Sequence, residues 1–180
     1  MIKIIDINFQ DFNLAVACFL IKSENNLILV ETGPSNSYSQ IKKEMLAIGE
    51  DINKINHVFV THIHLDHSGG AWRFAKNGAT IYVHPKGAPH LENPEKLITS
   101  ATRIYGNKME KLWGRVDKID ANQIYSVRDY EEIKIDNYVF KALYTPGHAS
   151  HHVAWKLDNI IFTGDVAGAK IKNGPVMPAC

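Results

Sequence analysis

The most informative stretch of this sequence is Thr61-His62-Ile63-His64-Leu65-Asp66-His67-Ser68-Gly69-Gly70. Three imidazoles and one carboxylate fall within six residues, directly after the apolar segment His57–Val60, which predicts a buried strand. Because alternate side chains at a strand end share one face, His62 and His64 can bind one metal ion. Asp66 and His67 follow once the chain turns, so they can face a second ion or a bound water.

The glycines after this motif predict a helix that begins beside it. Ser68-Gly69-Gly70 lets the backbone turn into a helix over about Ala71–Lys76, whose N-terminus would favour hydroxide or an anionic substrate. Imidazole and carboxylate without thiolate suit zinc, manganese or iron. A solvated loop that is merely rich in histidine is the competing interpretation, and the position between a strand and a glycine turn argues against it.

Two later segments place further ligand types at strand ends. His148 follows the predicted strand Tyr138–Tyr144 in the run Thr145-Pro146-Gly147-His148, and Asp165 follows the next-but-one strand in the run Thr163-Gly164-Asp165. The two carboxylate oxygens of Asp165 can bridge two ions. Three strand ends therefore each deliver a candidate ligand.

The rest of the sequence predicts short strands on both sides of a helical middle. The predicted strands are Ile2–Phe9, Ala15–Ile21, Leu27–Glu31, His57–Val60, Thr80–Val83, Glu132–Ile135, Tyr138–Tyr144, Val153–Leu157 and Ile160–Thr163. The predicted helices run from Ser37 to about Ile48 and over Ala71–Lys76, Glu95–Tyr105 and Lys108–Trp113. We therefore expect an α+β fold with two layered sheets, formed by a single domain over residues 1–180 with a helical insert at about 86–114.

The composition excludes several classes of protein. The 180 residues are 45% hydrophobic and 22% charged, which argues against a disordered chain and a disulfide scaffold. A formal net charge of +1 gives no sign of nucleic-acid or anionic-membrane partners, and no apolar run is long enough to span a membrane. Cys18 and Cys180 are interpreted as free thiols of a cytoplasmic protein.

Taken together, these motifs resemble the metallo-β-lactamase-fold hydrolases, over residues 57–168 and at the turn Glu31-Thr32-Gly33, where Glu replaces the usual Asp. The resemblance implies a four-layer αββα sandwich with a metal site at one edge of its two sheets. It implies two divalent ions, with zinc expected first and manganese or iron as alternatives. The implied ligands are His62, His64 and His148 for one ion, Asp66 and His67 for the other, and Asp165 between them.

One ligand of that family is missing from the sequence. The second ion normally has a further histidine near the end of the fold, whereas no histidine follows His152. The stretch Val166–Cys180 is predicted to be a loop, because it is interrupted by glycines and prolines. We therefore expect that the chain lacks the C-terminal part of the fold, or else that its second metal site is weak or empty.

The resemblance also implies an activity. In its acyl-glutathione hydrolase and lactonase-like branch, a metal-bound hydroxide attacks an ester, thioester or lactone carbonyl of a small-molecule acyl substrate, with Asp66 placed to accept or pass on the proton. One alternative is a mononuclear iron dioxygenase acting on a thiol-derived persulfide. Another is a metal-stabilised binding module without catalytic activity. No motif in the sequence indicates the oligomeric state or the particular substrate.

The sequence also suggests roles for residues outside the set of metal ligands. His152 and Glu31 are expected beside the ligands, His152 as hydrogen-bonding support. His84 is expected to be structural, His57 to pack or to support the site, His151 to face solvent, and His90 to have no role. Tyr105, with Met109, Leu112 and Trp113, forms a helical stripe, which predicts either core packing or a lid in which Tyr105 contacts the substrate.

Overall fold

The structure, a computed structural model, describes residues 2–170 and 174–178. The strands are β1 (Ile2–Asp6), β2 (Ala17–Lys22), β3 (Leu27–Val30), β4 (Ile55–Phe59), β5 (Thr80–Val83), β6 (Ile124–Ser126), β7 (Glu132–Ile135), β8 (Tyr138–Tyr144), β9 (Val153–Leu157), β10 (Ile160–Phe162), β11 (Ala169–Lys170) and β12 (Val176–Met177). The helices are α1 (Tyr38–Leu46), α2 (Leu65–Ser68), α3 (Ala71–Lys76), α4 (Ala88–Glu92), α5 (Glu95–Tyr105) and α6 (Met109–Trp113).

The strands form two main sheets. The first has the order β1-β2-β3-β4-β5-β6, antiparallel from β1 to β3 and parallel from β3 to β6. The second is the antiparallel meander β10-β9-β8-β7. Since β4, β8 and β10 all end near one edge of the pair of sheets, the loops that follow them can meet there.

Apolar side chains of both sheets face each other and form the central core. Phe59 of β4 is fully buried and stacks between Tyr82 and Phe140, at ring-centroid distances of 4.3 and 4.2 Å, with Trp155 edge-on at 4.8 Å. Trp155 also donates a hydrogen bond from Nε1 to the carbonyl oxygen of Val60, across the two sheets. Burial of these large rings is the main force that holds the sheets together.

Helices cover the other face of the first sheet. Ile41 and Met45 of α1 and Phe74 of α3 are fully buried against strand residues such as Leu29 and Val58. The i, i+4 spacing of the two α1 residues gives that helix its apolar stripe. No α-helix follows β6 within residues 2–170 and 174–178, and the outer face of the second sheet leaves Val139, Lys156 and Ile161 exposed. The described residues therefore form three layers, helix, sheet and sheet.

Asp136 ties the two sheets together at the end remote from the strand ends that carry ligand types. It lies in the β7–β8 turn and accepts hydrogen bonds from Ser23 Oγ (2.5 Å), Asn25 N (2.9 Å) and Asn26 Nδ2 (2.9 Å) in the β2–β3 turn. These three hydrogen bonds hold the pKa of the Asp136 carboxyl far below its usual value, because they stabilise the ionised form.

The structure confirms the mixed α/β layers and corrects several element assignments. The predicted strand His57–Val60 is Ile55–Phe59, and the short elements α4 and β6 were not predicted. The prediction of a loop over Val166–Cys180 is wrong for β11 and β12, which pair with each other. Cys18 is a buried free thiol, whereas Cys180 lies outside the described residues. No described helix is long and apolar enough to cross a membrane.

Candidate metal centre

The ligand-type residues lie on loops that leave strands of both sheets. His62 and His64 follow β4, and the short helix α2 carries Asp66 and His67. Thr32 fixes α2 in place, because its backbone N–H and its Oγ1 both donate to the carbonyl oxygen of His67 at 2.8 Å. The turn after β3 and the histidine motif are thus held together by one main-chain and one side-chain hydrogen bond from Thr32.

Three imidazoles form a first group of ring nitrogens. His64 Nδ1 lies 3.0 Å from His62 Nε2 and 2.9 Å from His148 Nε2. Zinc–nitrogen bonds of about 2.0–2.1 Å in a tetrahedral site separate their nitrogens by roughly 3.3 Å, so this triangle is close to the size that zinc requires. This triangle of ring nitrogens combines His148, which follows β8 of the second sheet, with His62 and His64, which follow β4 of the first.

Asp165 links this triangle to a second group. Its Oδ1 lies 3.1 Å from His67 Nε2, and its Oδ2 lies 3.4 Å from His148 Nε2. His62, His67 and Asp165 have donor atoms within 4.8 Å of one another, as do His62, His64 and His148. Asp66 lies beside these groups, with Oδ2 3.5 Å from His67 Nε2. The structure therefore brings together all six residues that the sequence indicated as metal ligands.

A buried relay from Glu31 orients two of the histidines. Glu31 Oε1 accepts a hydrogen bond of 2.5 Å from Thr61 Oγ1, and that hydroxyl lies 3.0 Å from His62 Nδ1. Since the hydroxyl hydrogen goes to the carboxylate, Thr61 accepts the Nδ1 hydrogen of His62, and the Nε2 lone pair of His62 is left for a metal. Glu31 Oε1 also lies 3.3 Å from His67 Nδ1. Sequence reasoning anticipated Glu31 but missed Thr61, whose only signal is its position next to His62.

Burial and neighbouring charges set the protonation of the centre. Desolvation lowers the pKa of His62 and His64, so both imidazoles are neutral and can bind metal. Desolvation acts in the same direction on His67, but the Glu31 charge and the hydrogen bonds with Asp165 and Asp66 outweigh it and raise the pKa of His67 well above its ordinary value. The hydrogen bond with His67 lowers the pKa of Asp165, so that carboxylate is ionised.

Several buried polar atoms of this centre have no hydrogen-bond partner among the described residues. They include His148 Nδ1 in the ligand set, and also His67 Nδ1, whose 3.3 Å contact with Glu31 Oε1 is an ion pair without hydrogen-bond geometry. In addition, His64 Nδ1 faces two ring nitrogens at once, whereas one neutral imidazole nitrogen makes a single such bond. Ring nitrogens crowded in this way, with an ionised carboxylate between the groups, fit a divalent cation. His62, His64 and His148 would hold one ion, and His67 with Asp165 and Asp66 a second.

The loop after β8 brings in two more histidines. His152 is buried, and its Nδ1 lies 2.8 Å from Thr145 Oγ1. Its ring stacks on His62 at 5.0 Å, so it lies beside the ligands, whereas its hydrogen bond goes to Thr145 and the predicted hydrogen-bonding support of a ligand stays a prediction. The prediction that His151 faces solvent is wrong: its ring is half-buried, 5.9 Å from that of His64, because the turn at 149–152 directs it inward. A turn has no fixed period, so the sequence carried no signal for its direction.

His84 and His57 lie apart from the candidate ligands. His84 is buried, packs against the Tyr144 ring at a tilt with centroids 4.2 Å apart, and accepts a hydrogen bond from Lys86 N, which is the expected structural role. His57 pairs with the Tyr82 hydroxyl at 3.0 Å, within the sheet. His57 therefore packs and does not support the metal centre.

A cavity lies between the metal centre and helices α5 and α6. Trp113 is buried in a small cluster with Leu65 and Ala101, so the packing interpretation of the helical stripe applies to it. Tyr105 is partly exposed, lines the cavity and meets the Trp113 ring edge-on at 5.0 Å. The sequence prediction that Tyr105 contacts substrate therefore remains a prediction, with the side chain in a suitable place. His90 also lines this cavity, although the sequence gave it no role.

The sequence profile of the metallo-beta-lactamase superfamily matches residues 12–172. The chain belongs to the metallo-β-lactamase superfamily. It is 28% identical over 177 residues to the metallo-beta-lactamase fold-containing protein ST1585 of Sulfurisphaera tokodaii, across 93% of this chain and 62% of that protein. The crystal structure of ST1585 superposes with a TM-score of 0.79 at 27% identity, covering 99% of this chain and 68% of the other.

Other members of the superfamily with named activities are similar over a shorter part of their length. A hydroxyacylglutathione hydrolase of Dictyostelium discoideum is 26% identical across 82% of this chain and 46% of its own. An atrochrysone carboxyl ACP thioesterase of Aspergillus chevalieri is 30% identical across 82% of this chain and 38% of its own. The chain thus spans less than two thirds of each of these curated relatives.

Proposed function

We propose that this protein is a metal-dependent hydrolase that cleaves an ester, thioester or lactone bond of a small acyl compound. The observation that carries the proposal is the position of Asp165, which presents one carboxylate oxygen to each of two histidine groups at the edge of an open cavity. A carboxylate shared by two groups is the arrangement expected when two ions act on one substrate. The names of the similar hydroxyacylglutathione hydrolase and ACP thioesterase favour thioesters.

Divalent ions bound here would lower the pKa of water and polarise the substrate carbonyl. The protein's own groups prepare that chemistry. Burial keeps His62 and His64 neutral, and the relay through Thr61 holds His62 with Nε2 directed at the ligand triangle. Asp66 is ionised, because its hydrogen bond with His67 lowers its pKa despite burial. It is therefore able to take a proton from the attacking water and pass it to the leaving group.

Zinc is the metal that this proposal names, since the donor set is imidazole and carboxylate. A cytoplasmic location is also part of the proposal, and the free thiol of Cys18 is consistent with it.

The test combines metal analysis with a panel of substrates. Protein loaded with zinc, manganese or iron would be assayed on acyl-glutathione thioesters, aryl esters and acyl-homoserine lactones, and its metal content measured. We expect Asp165→Asn and His64→Ala to abolish turnover and reduce bound metal. Asp158→Asn in the β9–β10 turn is the matched control and should behave as the unaltered protein.

Two results would contradict the proposal. One is wild-type turnover by Asp165→Asn after removal and replacement of metal. The other is a lack of hydrolysis across the panel with every metal. Oxygen consumption with a persulfide by the iron-loaded protein would assign the dioxygenase in place of the hydrolase.

A further inference from the structure

The cavity between the metal centre and α5 has a volume of about 540 Å³. This is the size of pockets that bind small organic ligands. One wall consists of His64, Asp66, His148 and Asp165, so a bound molecule would reach the candidate ligands.

The rest of the lining is largely apolar. It includes Leu65 beside the candidate ligands, and Leu97, Ala101, Ile104 and Trp113 on α5 and α6. Trp113 is held rigidly, because it is buried and stacks on Phe9 at 5.5 Å. A fixed apolar surface of this kind favours a hydrocarbon segment in the ligand.

The charge of this cavity changes from one end to the other. Its acidic side chains among the described residues are Asp66 and Asp165, and both belong to the candidate metal centre. On the α5 side the lining carries Lys96, with the imidazoles of His90 and His151, and no described carboxylate. Lys96 is exposed, and its side chain makes no hydrogen bond or ion pair with any residue that the structure describes. Its ammonium group is therefore free to bind an anion.

A second opening beside the same centre lacks this feature. It has a volume of about 480 Å³ and lies between β1, β2 and β10. Its carboxylates are those of Glu31, Asp66 and Asp165, His67 also lines it, and its described lining includes no lysine or arginine. An anionic end of a ligand is thus favoured on the α5 side and disfavoured on the β1 side.

From this difference we infer that Lys96 is a specificity-determining residue, which binds a terminal carboxylate on an acyl chain that lies along α5. The preferred substrates are then acyl compounds with an apolar chain that ends in a carboxylate, in preference to simple fatty acyl compounds. The inference rests on the proposed function in one respect, namely that the bond to be cleaved lies at the metal centre and the carboxylate end lies at Lys96. Selective binding by the cavity itself can be measured without turnover.

Non-hydrolysable amides provide the test. Dissociation constants of adipic acid monoamide and hexanamide, which match in chain length, would be measured with the zinc-loaded protein and repeated with suberic acid monoamide and octanamide. The variants are Lys96→Gln and Lys96→Glu. Lys42→Gln on α1, an exposed lysine outside this cavity, is the matched control.

We expect the unaltered protein and Lys42→Gln to prefer the anionic amide. Lys96→Gln should reduce that preference roughly two- to fivefold, the range for an exposed ion pair, and Lys96→Glu should reverse it. High salt should weaken the preference in the unaltered protein. Equal binding of both amides by that protein overturns the inference, and so does a preference that persists in Lys96→Gln, because the carboxylate then binds elsewhere. A Lys96-dependent preference in a protein without hydrolase activity would refute only the proposed function.

Discussion

Gly164 lies where any side chain would collide with the candidate metal centre. Its φ is +48°, and a Cβ built on it would lie 2.5 Å from Thr61 Oγ1 and 2.7 Å from His152 Nε2. Thr61 belongs to the relay that orients His62, and Asp165 is the next residue in the chain. We therefore predict that Gly164→Ala displaces Asp165 and disturbs Thr61 and His152 together.

The expected cost has two parts. A non-glycine residue with positive φ costs about 1 kcal/mol or somewhat more. The Cβ would also lie 2.8 Å from Thr61 Cβ, so the loop must move by several tenths of an ångström, and overpacking of this kind costs roughly 1–3 kcal/mol. The sum, about 2–4 kcal/mol, lies within the stability of an ordinary domain, so the variant should fold.

Urea unfolding and metal content measure the two effects separately. Gly49→Ala is the matched control, because Gly49 also has a positive φ of +77° but has open space around its Cβ position. Gly49→Ala should lose about 1 kcal/mol and keep its metal affinity. Gly164→Ala should lose more stability and also bind metal more weakly.

If Gly164→Ala were no less stable than Gly49→Ala and bound metal as tightly as the unaltered protein, close packing around Gly164 would not position Asp165.

Three further predictions follow from features of the core and the site. Phe59→Ala should lower the free energy of unfolding by about 4 kcal/mol, because it empties the ring stack between the sheets, whereas Phe12→Ala at an exposed position should have little effect in the same urea titration. Glu31→Gln should weaken zinc affinity about 10- to 100-fold in a chelator competition, since it disturbs both histidines of the relay; unchanged affinity would contradict the relay. The Asp136 carboxyl has a lowered pKa in the folded protein, so its stabilisation is present above the ordinary pKa near 3.9 and is lost as pH falls. Asp136→Asn should therefore destabilise the protein at neutral pH and make less difference at about pH 3; an equal loss at both would refute this.

The candidate metal ligands could be predicted from the sequence because they lie in segments that directly follow predicted strands. Strands have a period of two and predictable ends, so His62, His148 and Asp165 could be placed at one edge before their contacts were known. The residue types of Asp136-Asn137 likewise favour the two-residue hairpin turn that joins β7 and β8 in the structure.

The features that the sequence did not predict depend on tertiary contacts. Whether His151 faces the cavity is decided by a turn, and whether Thr61 carries a hydrogen bond to Glu31 depends on the distance between two strands of the first sheet. The short strand β6 has few residues and no clear alternation, so its pairing with β5 was not apparent. Lys96 belongs to the cavity only because α5 packs beside the metal centre.

The donor atoms of the metal centre come from loops of both sheets, and this has a consequence for folding. His64 and His148 lie far apart in the chain, yet their ring nitrogens are 2.9 Å apart once the sheets have docked. Contacts of such long sequence separation form late, because the entropy of closing the intervening chain is lost before they contribute. A partly folded chain with only the first sheet in place would hold His62, His64 and His67 but neither His148 nor Asp165, so neither candidate ion would have its full set of ligands. Tight metal capture would then mark the last step of folding, and the bound ion would slow unfolding by linking the two sheets.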